Sequence, residues 1–197
     1  MICAIALVRH RFPGRSILNA VIDLPFAVSP VIIGLALILV YGQAGWFGGW
    51  LADHGIQVIF SIPGMILATT FVSLPFVVRA VQPVLLELDR DMEEAAASLG
   101  AGNLTIFRRV ILPNLLPAIL SGVGLGFARS VGEFGSLVLI TGNLPFKTEV
   151  GSVYIFNQLE NDNLPGAAAV SVVLLLAALL VLGLLTLLSR WRSRHVL

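Results

Sequence analysis

Apolar residues in this chain fall into long blocks separated by short polar intervals, and that alternation predicts its elements before any motif is consulted. Four blocks, approximately Ile17 to Tyr41, Ile59 to Val81, Leu115 to Ile140 and Pro165 to Leu188, each reach the roughly 20 residues a helix needs to cross ~30 Å of hydrocarbon. A further block, Met1 to Val8, is apolar but too short to cross, so it reads as the tail of another span or as an interfacial stub. Helices are the expected spanning form, because each backbone N–H and C=O is then satisfied within its own segment. The pattern predicts an all-α, polytopic transmembrane helical bundle, a single domain over 1–197 with four complete spans.

Composition strengthens this: a chain 57% hydrophobic and 12% charged, with mean hydropathy +0.96, has more apolar surface than one soluble core of this length hides. The twelve Lys and Arg then orient it. Arg9, Arg11 and Arg15, the segment Arg79 to Arg109, and the tail Arg190 to Arg194 hold ten of them, which predicts that all three lie in the cytoplasm, the C-terminus included. The opposite loops, Gly42 to Val58 and Gly142 to Leu164, carry only Lys147 against Asp53, Glu149, Glu160 and Asp162, and Trp46, Trp50 and Tyr154 suit an outer interfacial belt. Charges at the start stand on the wrong side of the apolar run for a secretory signal peptide, so none is expected.

Candidate chemistry is sparse. With Cys3 as the single cysteine, neither a disulfide nor a thiolate metal site forms within the chain, and His10, His54 and His195 fall in three separate segments without ligand spacing. No metal site and no catalytic residue is therefore expected. Gly142 to Thr148 resembles a phosphate-binding loop in outline, but Phe146 replaces the second glycine that lets backbone curl around phosphate. The chain is expected to bind no ATP and no cofactor itself.

The polar segment at about 87–113 is the most informative. Glu87, Asp89, Asp91, Glu93 and Glu94 lead into Ala95, Ala96 and Ala97, strong helix formers, and Gly100 is placed to end that helix in the left-handed conformation. Asn103 or Thr105 then starts a second short helix through Arg108 and Arg109, before Pro113 resets the chain. The product is a helix, a sharp bend and a helix: either a solvated connector or a rigid knob that inserts into a partner. Within the third span, Arg129 and Glu133 stand four apart on one predicted helical face, as a structural ion pair or part of an anion path. Gly122, Gly126 and Gly132 on the same span predict close helix packing, within the subunit or at a subunit interface. Pro25, Pro30, Pro63 and Pro75 permit kinks.

Glu94-Ala95-Ala96, Gly100, Val110 and Leu112-Pro113 match at every spacing the EAA loop of bacterial ABC importer permeases, with Val110 for the usual isoleucine. Leu74 to Pro83, Phe127 to Ser136 and Asp23 to Pro30 look like the sulfate/molybdate branch, and Thr141 to Asn143 with Lys147 to Val150 resemble its CysT-type members more than the CysW-type. The resemblance implies a MetI-like, type I ABC importer permease fold in a bacterial inner membrane. It implies a path for sulfate or thiosulfate, worked by alternating access. It also implies a CysW-type second permease, two CysA-type ATPase subunits that use ATP and Mg, and a substrate-binding protein. Permeases of this branch carry one further span and most of another before the position of Met1, so a six-span parent is expected. Alternatives are a molybdate or tungstate permease, or an ion-coupled secondary transporter with Glu133 or Asp23 as the coupling carboxylate. A membrane-embedded enzyme would need paired aspartates or a His-Glu-x-x-His run, which the sequence lacks.

Overall fold

The computed structural model describes residues 2–10 and 12–193, and their regular elements are helical throughout. Met1, Arg11, Arg194 and His195, which enter the readings above, lie outside the described residues. The first apolar block is helix α1 (Ile2–Arg9), too short to cross by itself, as expected, and it packs against the bundle. Its Ala4 and Leu7 are buried in a core with Ile22, Val78, Val81, Leu85 and Leu115.

The block from Ile17 to Tyr41 is not one continuous helix. It divides into α2 (Arg15–Ala27) and α3 (Pro30–Tyr41), bent by 119° at Val28 and Ser29. The cause is local: proline forces the preceding residue out of the helical region, and Ser29 sits at ψ 136 directly before Pro30. Pro30 itself suits the first turn of α3, where its missing N–H has no partner to lose.

A short helix, α4 (Gly48–Asp53), precedes α5 (Ile62–Glu87), a 26-residue span that continues a turn and a half beyond the expected end at Val81. Glu87 is thereby the last residue of that span rather than part of the acidic helix that follows. That helix is α6 (Arg90–Ser98). After it, α7 (Asn103–Ile106), a wide turn over Phe107–Ile111, and α8 (Leu112–Val131) run on as one 29-residue apolar helix. The third span thus starts and ends earlier than expected, and Leu137–Ile140 is a separate short helix, α9.

In the wide turn, Leu112 N–H reaches back five residues to Phe107 O, and the Asn114 side-chain amide donates to Val110 O at 2.7 Å. Widening the helix there accommodates Pro113, which has no N–H and would crowd the preceding turn of a regular helix. Pro113 therefore does not reset the chain; the helix passes through it. Beyond α9 come α10 (Gly151–Glu160) and α11 (Leu164–Ser193), the last span, longer at both ends than expected.

The most extensive helix contact is between α5 and α8. It depends on missing side chains: a Cβ on Gly122 would stand 2.8 Å from Val77 Cα and 3.1 Å from Phe76 O, and one on Gly126 would stand 3.2 Å from Ser73 Cβ. Gly122 and Gly126 therefore pack within the subunit, whereas Gly132 merely follows the end of α8 and touches nothing closely. In lipid such backbone approach supplies much of helix association. Gly122→Val is expected to destabilise the bundle by ~1–3 kcal/mol through overpacking. The melting temperature of the detergent-solubilised protein reads it, with Gly183→Ala, whose Cβ meets nothing within 4 Å, as the unaffected control.

A second core gathers Val58, Ile59, Ala68, Leu137, Ile140 and Val153 at the other end of α5. The two cores fix the bundle at both ends and leave α6 outside either.

Candidate functional site

Helix α6 is a short element with hydrogen-bonded terminations at each end. Asp89 caps its start, its carboxylate accepting from Asp91 N–H at 3.0 Å, and Asp91 and Glu93 in the first turn favour the positive end of the helix dipole. At its other end Gly100 takes φ +83, Gly100 N–H bonds to Ala97 O at 2.9 Å and Ala101 N–H to Ala96 O at 3.1 Å. This pair of bonds is the Schellman termination, and it satisfies carbonyls that would otherwise be orphaned. Glycine takes that conformation without the Cβ penalty that other residues meet.

The faces of α6 differ. Glu93 turns inward and forms an ion pair with Arg9 at the end of α1, a residue 84 positions away, with both side chains mostly buried. Beside this pair opens a crevice of about 390 Å³ lined by Ile5, His10, Leu85, Arg90, Glu94 and Ile111. The opposite face offers Met92, Ala95 and Leu99 to solvent, Leu99 with 87% of its surface open, and Leu104 of α7 extends the apolar strip. A polar helix that keeps a large leucine exposed carries an unpartnered apolar face. Of the motif residues, Glu94, Ala95, Ala96 and Gly100 thus belong to the protruding element. Val110, Leu112 and Pro113 lie at its root, where the wide turn passes into the span.

Arg129 and Glu133 meet at the other end of α8. Arg129 closes the last turn of the helix, but Glu133 lies just past it, beyond Gly132, rather than on the same helical face. Arg129 Nη1 stands 2.7 Å from Glu133 Oε2, off the line of a hydrogen bond, so the contact is ionic and Oε2 itself lacks a hydrogen-bond donor. Glu133 is wholly buried; its Oε1 accepts from Ser136 N–H at 3.0 Å and Ser136 Oγ at 2.9 Å, and Ser152 Oγ donates to its carbonyl at 2.6 Å. The carboxylate thereby ties the end of α8 to the turn into α9, and the Glu133 backbone carbonyl adds the start of α10, while about a third of the Arg129 side chain stays open.

A third ion pair was not anticipated. Arg79, taken above as a cytoplasmic loop cation, lies inside α5, eight residues before its end; its Nε donates to Asp23 Oδ1 at 2.8 Å and its Nη2 to Asp23 Oδ2. Arg79 Nη1 donates to Gln82 Oε1 at 2.6 Å. The signal available in sequence was a lone aspartate, Asp23, within an apolar block, which demands a cation partner.

The loop resembling a phosphate site is a closed turn. The N–H groups of Lys147, Thr148 and Glu149 all point to Leu144 O, and Leu144 N–H donates to Thr148 Oγ1, so none of these donors is free to cradle an anion. Among the described residues no three His, Cys, Asp or Glu side chains converge as a metal site would require.

A bundle of long apolar helices with a short, capped helix outside both cores defines a membrane-embedded helical protein. The chain belongs to the family described as binding-protein-dependent transport system inner membrane component, which matches residues 1–194. It is 47% identical to the probable sulfate transport system permease protein cysT of Nephroselmis olivacea, over 92% of this chain and 64% of that protein. It is 46% identical to the sulfate transport system permease protein CysT of Escherichia coli K12, over 100% of this chain and 71% of that protein. The CysW permease of Synechocystis is 45% identical over 96% of this chain and 68% of its own length. The chain spans about two thirds of the length of these relatives. Among solved structures, a bacterial ABC transporter involved in alginate import superposes with a TM-score of 0.73 at 20% identity, covering 96% of this chain and 70% of that one. The fold is that of an ABC importer permease, MetI-like and all-α.

Proposed function

We propose that this chain is the membrane path subunit of an ATP-driven importer for sulfate or thiosulfate. The observation that carries the importer reading is α6: a capped helix, closed by Gly100, that keeps Met92 and Leu99 exposed while Glu93 fastens its other face to the bundle. The sulfate relatives, at 45–47% identity, support the cargo. In this reading α6 seats in a groove of an ATPase subunit by its apolar face, as amphipathic helices do. ATP and Mg belong to that subunit; this chain is transport machinery without a nucleotide site or catalytic residue of its own.

Two ATPase subunits, a second CysW-type permease and a substrate-binding protein complete the assembly, in the plasma membrane with the C-terminus cytoplasmic. Closure of the ATPases displaces α6. Because α6 joins α5 through Leu88 and Asp89 alone, and is pinned to α1 by Arg9, that displacement tilts α1, α5 and α8 together. Arg129 and Glu133 brace the far end of α8 during the tilt.

The test is affinity purification of the protein in mild detergent with mass spectrometry of its companions, followed by labelled sulfate uptake into vesicles. An ATPase and a second permease are expected, with uptake blocked by excess thiosulfate and not by molybdate. A protein recovered alone or as a homo-oligomer refutes the importer reading; block by molybdate moves the cargo to the molybdate/tungstate class.

A further inference from the structure

Helices α2 and α5 run antiparallel, and two layers of side chains cross between them, with a third position, Asn19 and Gln82, beside them. Phe26 packs edge-on to Phe76 with ring centroids 5.1 Å apart. One turn toward the α6 end, Asp23 meets Arg79 through two hydrogen bonds, and one turn further Gln82 accepts from Arg79 while Asn19 keeps a buried Oδ1 without a partner. Asp23 follows the start of α2, and Arg79 precedes the end of α5, by eight residues each, so the pair sits roughly 12 Å along the helices from those ends.

The pair differs from Arg129 and Glu133 in one decisive respect. Arg79 keeps 37% and Asp23 46% of their side-chain surface open, whereas Glu133 keeps none. A charged pair left open to hydrocarbon is costly, so within the importer reading its open side faces water or protein. The open side also has donors to offer. A guanidinium carries five N–H groups, and the three directed at Asp23 and Gln82 leave two unused.

We infer that Arg79, held by Asp23 and Gln82 beneath the Phe26/Phe76 pair, is a transient binding site for a tetrahedral oxyanion in the inner half of the path. The inference rests on the importer reading above. The planar fork that now engages two carboxylate oxygens suits two oxygens of sulfate equally. Asp23 neutralises most of the charge, which keeps the anion from being trapped, and conduction requires a site weak enough to release its cargo. The two rings form an apolar step that the anion crosses when α2 and α5 separate. The break at Val28 and Ser29, directly beyond Phe26, gives α2 a free end for that movement.

The test uses the protein in its co-purified complex, reconstituted into proteoliposomes with saturating binding protein and ATP. In the exchanged variant Asp23→Arg/Arg79→Asp the ion pair is kept but the cation moves to α2; complex yield and melting temperature are expected to match wild type, while labelled sulfate flux falls about tenfold or more. An exchanged variant that assembles and transports at the wild-type rate overturns the site and leaves a structural pair. Should the exchange fail to assemble, Arg79→Lys decides: it retains charge without the fork, so an assembled complex with flux down about tenfold supports the site and one with full flux overturns it. A wild-type complex that moves no sulfate, thiosulfate or molybdate refutes the importer reading itself, and this inference with it; wild-type flux separates that failure from the others.

Discussion

Glu133→Ala is expected to lower stability by about 3–5 kcal/mol, the cost of removing one partner of a buried ion pair. The effect is large because the wholly buried carboxylate serves three groups that have no replacement. Ser136 N–H and Oγ lose their acceptor, Arg129 loses its counter-charge, and the link from α8 to the turn before α9 is cut. The vacated volume adds a cavity to these losses. Glu133→Gln is expected to cost less, since its amide oxygen still accepts from Ser136 and only the ionic contact disappears. Thermal unfolding of the detergent-solubilised protein, followed by size-exclusion recovery, measures both. A Glu133→Ala protein that melts with wild type but no longer supports flux would reverse the reading and assign the pair to the path.

That prediction uses geometry only half legible in the chain. The residues Arg129 and Glu133 announce themselves as charges in an apolar block, but their spacing suggested a shared helical face. Gly132 ends the helix between them, and Glu133 then gathers Ser136 and Ser152, contacts that no periodicity encodes. The α6 segment was far more readable. Its structure depends on local rules, with Asp89 as cap, alanines as helix formers and Gly100 as stop, all acting within a dozen residues.

Hydropathy failed where local backbone chemistry interrupts an unbroken apolar run. Nothing in the mean hydropathy of Ile17 to Tyr41 marks the 119° bend, yet Ser29 before Pro30 does. The opposite error occurred at Pro113, where a proline taken as a boundary is absorbed by the wide turn over Phe107–Ile111. Which residues pair over long range was not legible, even where a lone Asp23 signalled the need for a partner: Arg9 with Glu93 and Arg79 with Asp23 join positions 84 and 56 residues apart. Only the tertiary arrangement reveals that Arg79, counted by charge as a loop residue, lies within α5 and pairs with Asp23 of α2.

Leu99→Asp is expected to abolish most ATP-driven uptake while leaving the isolated protein intact. Leu99 is 87% exposed at the end of α6 and belongs to neither core, so folding stability should change by no more than ~0.5 kcal/mol. If the ATPase groove buries this side chain, its loss removes ~1.5–3 kcal/mol of contact. That corresponds to roughly 10- to 150-fold in affinity, and a carboxylate placed in an apolar groove adds a desolvation cost. Gly100→Ala probes the same contact differently: its Cβ meets nothing, but φ +83 is strained for alanine by ~1–2 kcal/mol, so the helix should lose its aim while keeping its apolar face. Co-purification of the ATPase and vesicle uptake distinguish the two. Leu99→Asp should release the ATPase, and Gly100→Ala should retain it with reduced uptake. Full ATPase retention and normal uptake with Leu99→Asp would show that the exposed face of α6 is not the docking surface, and the coupling role would have to pass to Arg108 and Arg109 at the root of α8.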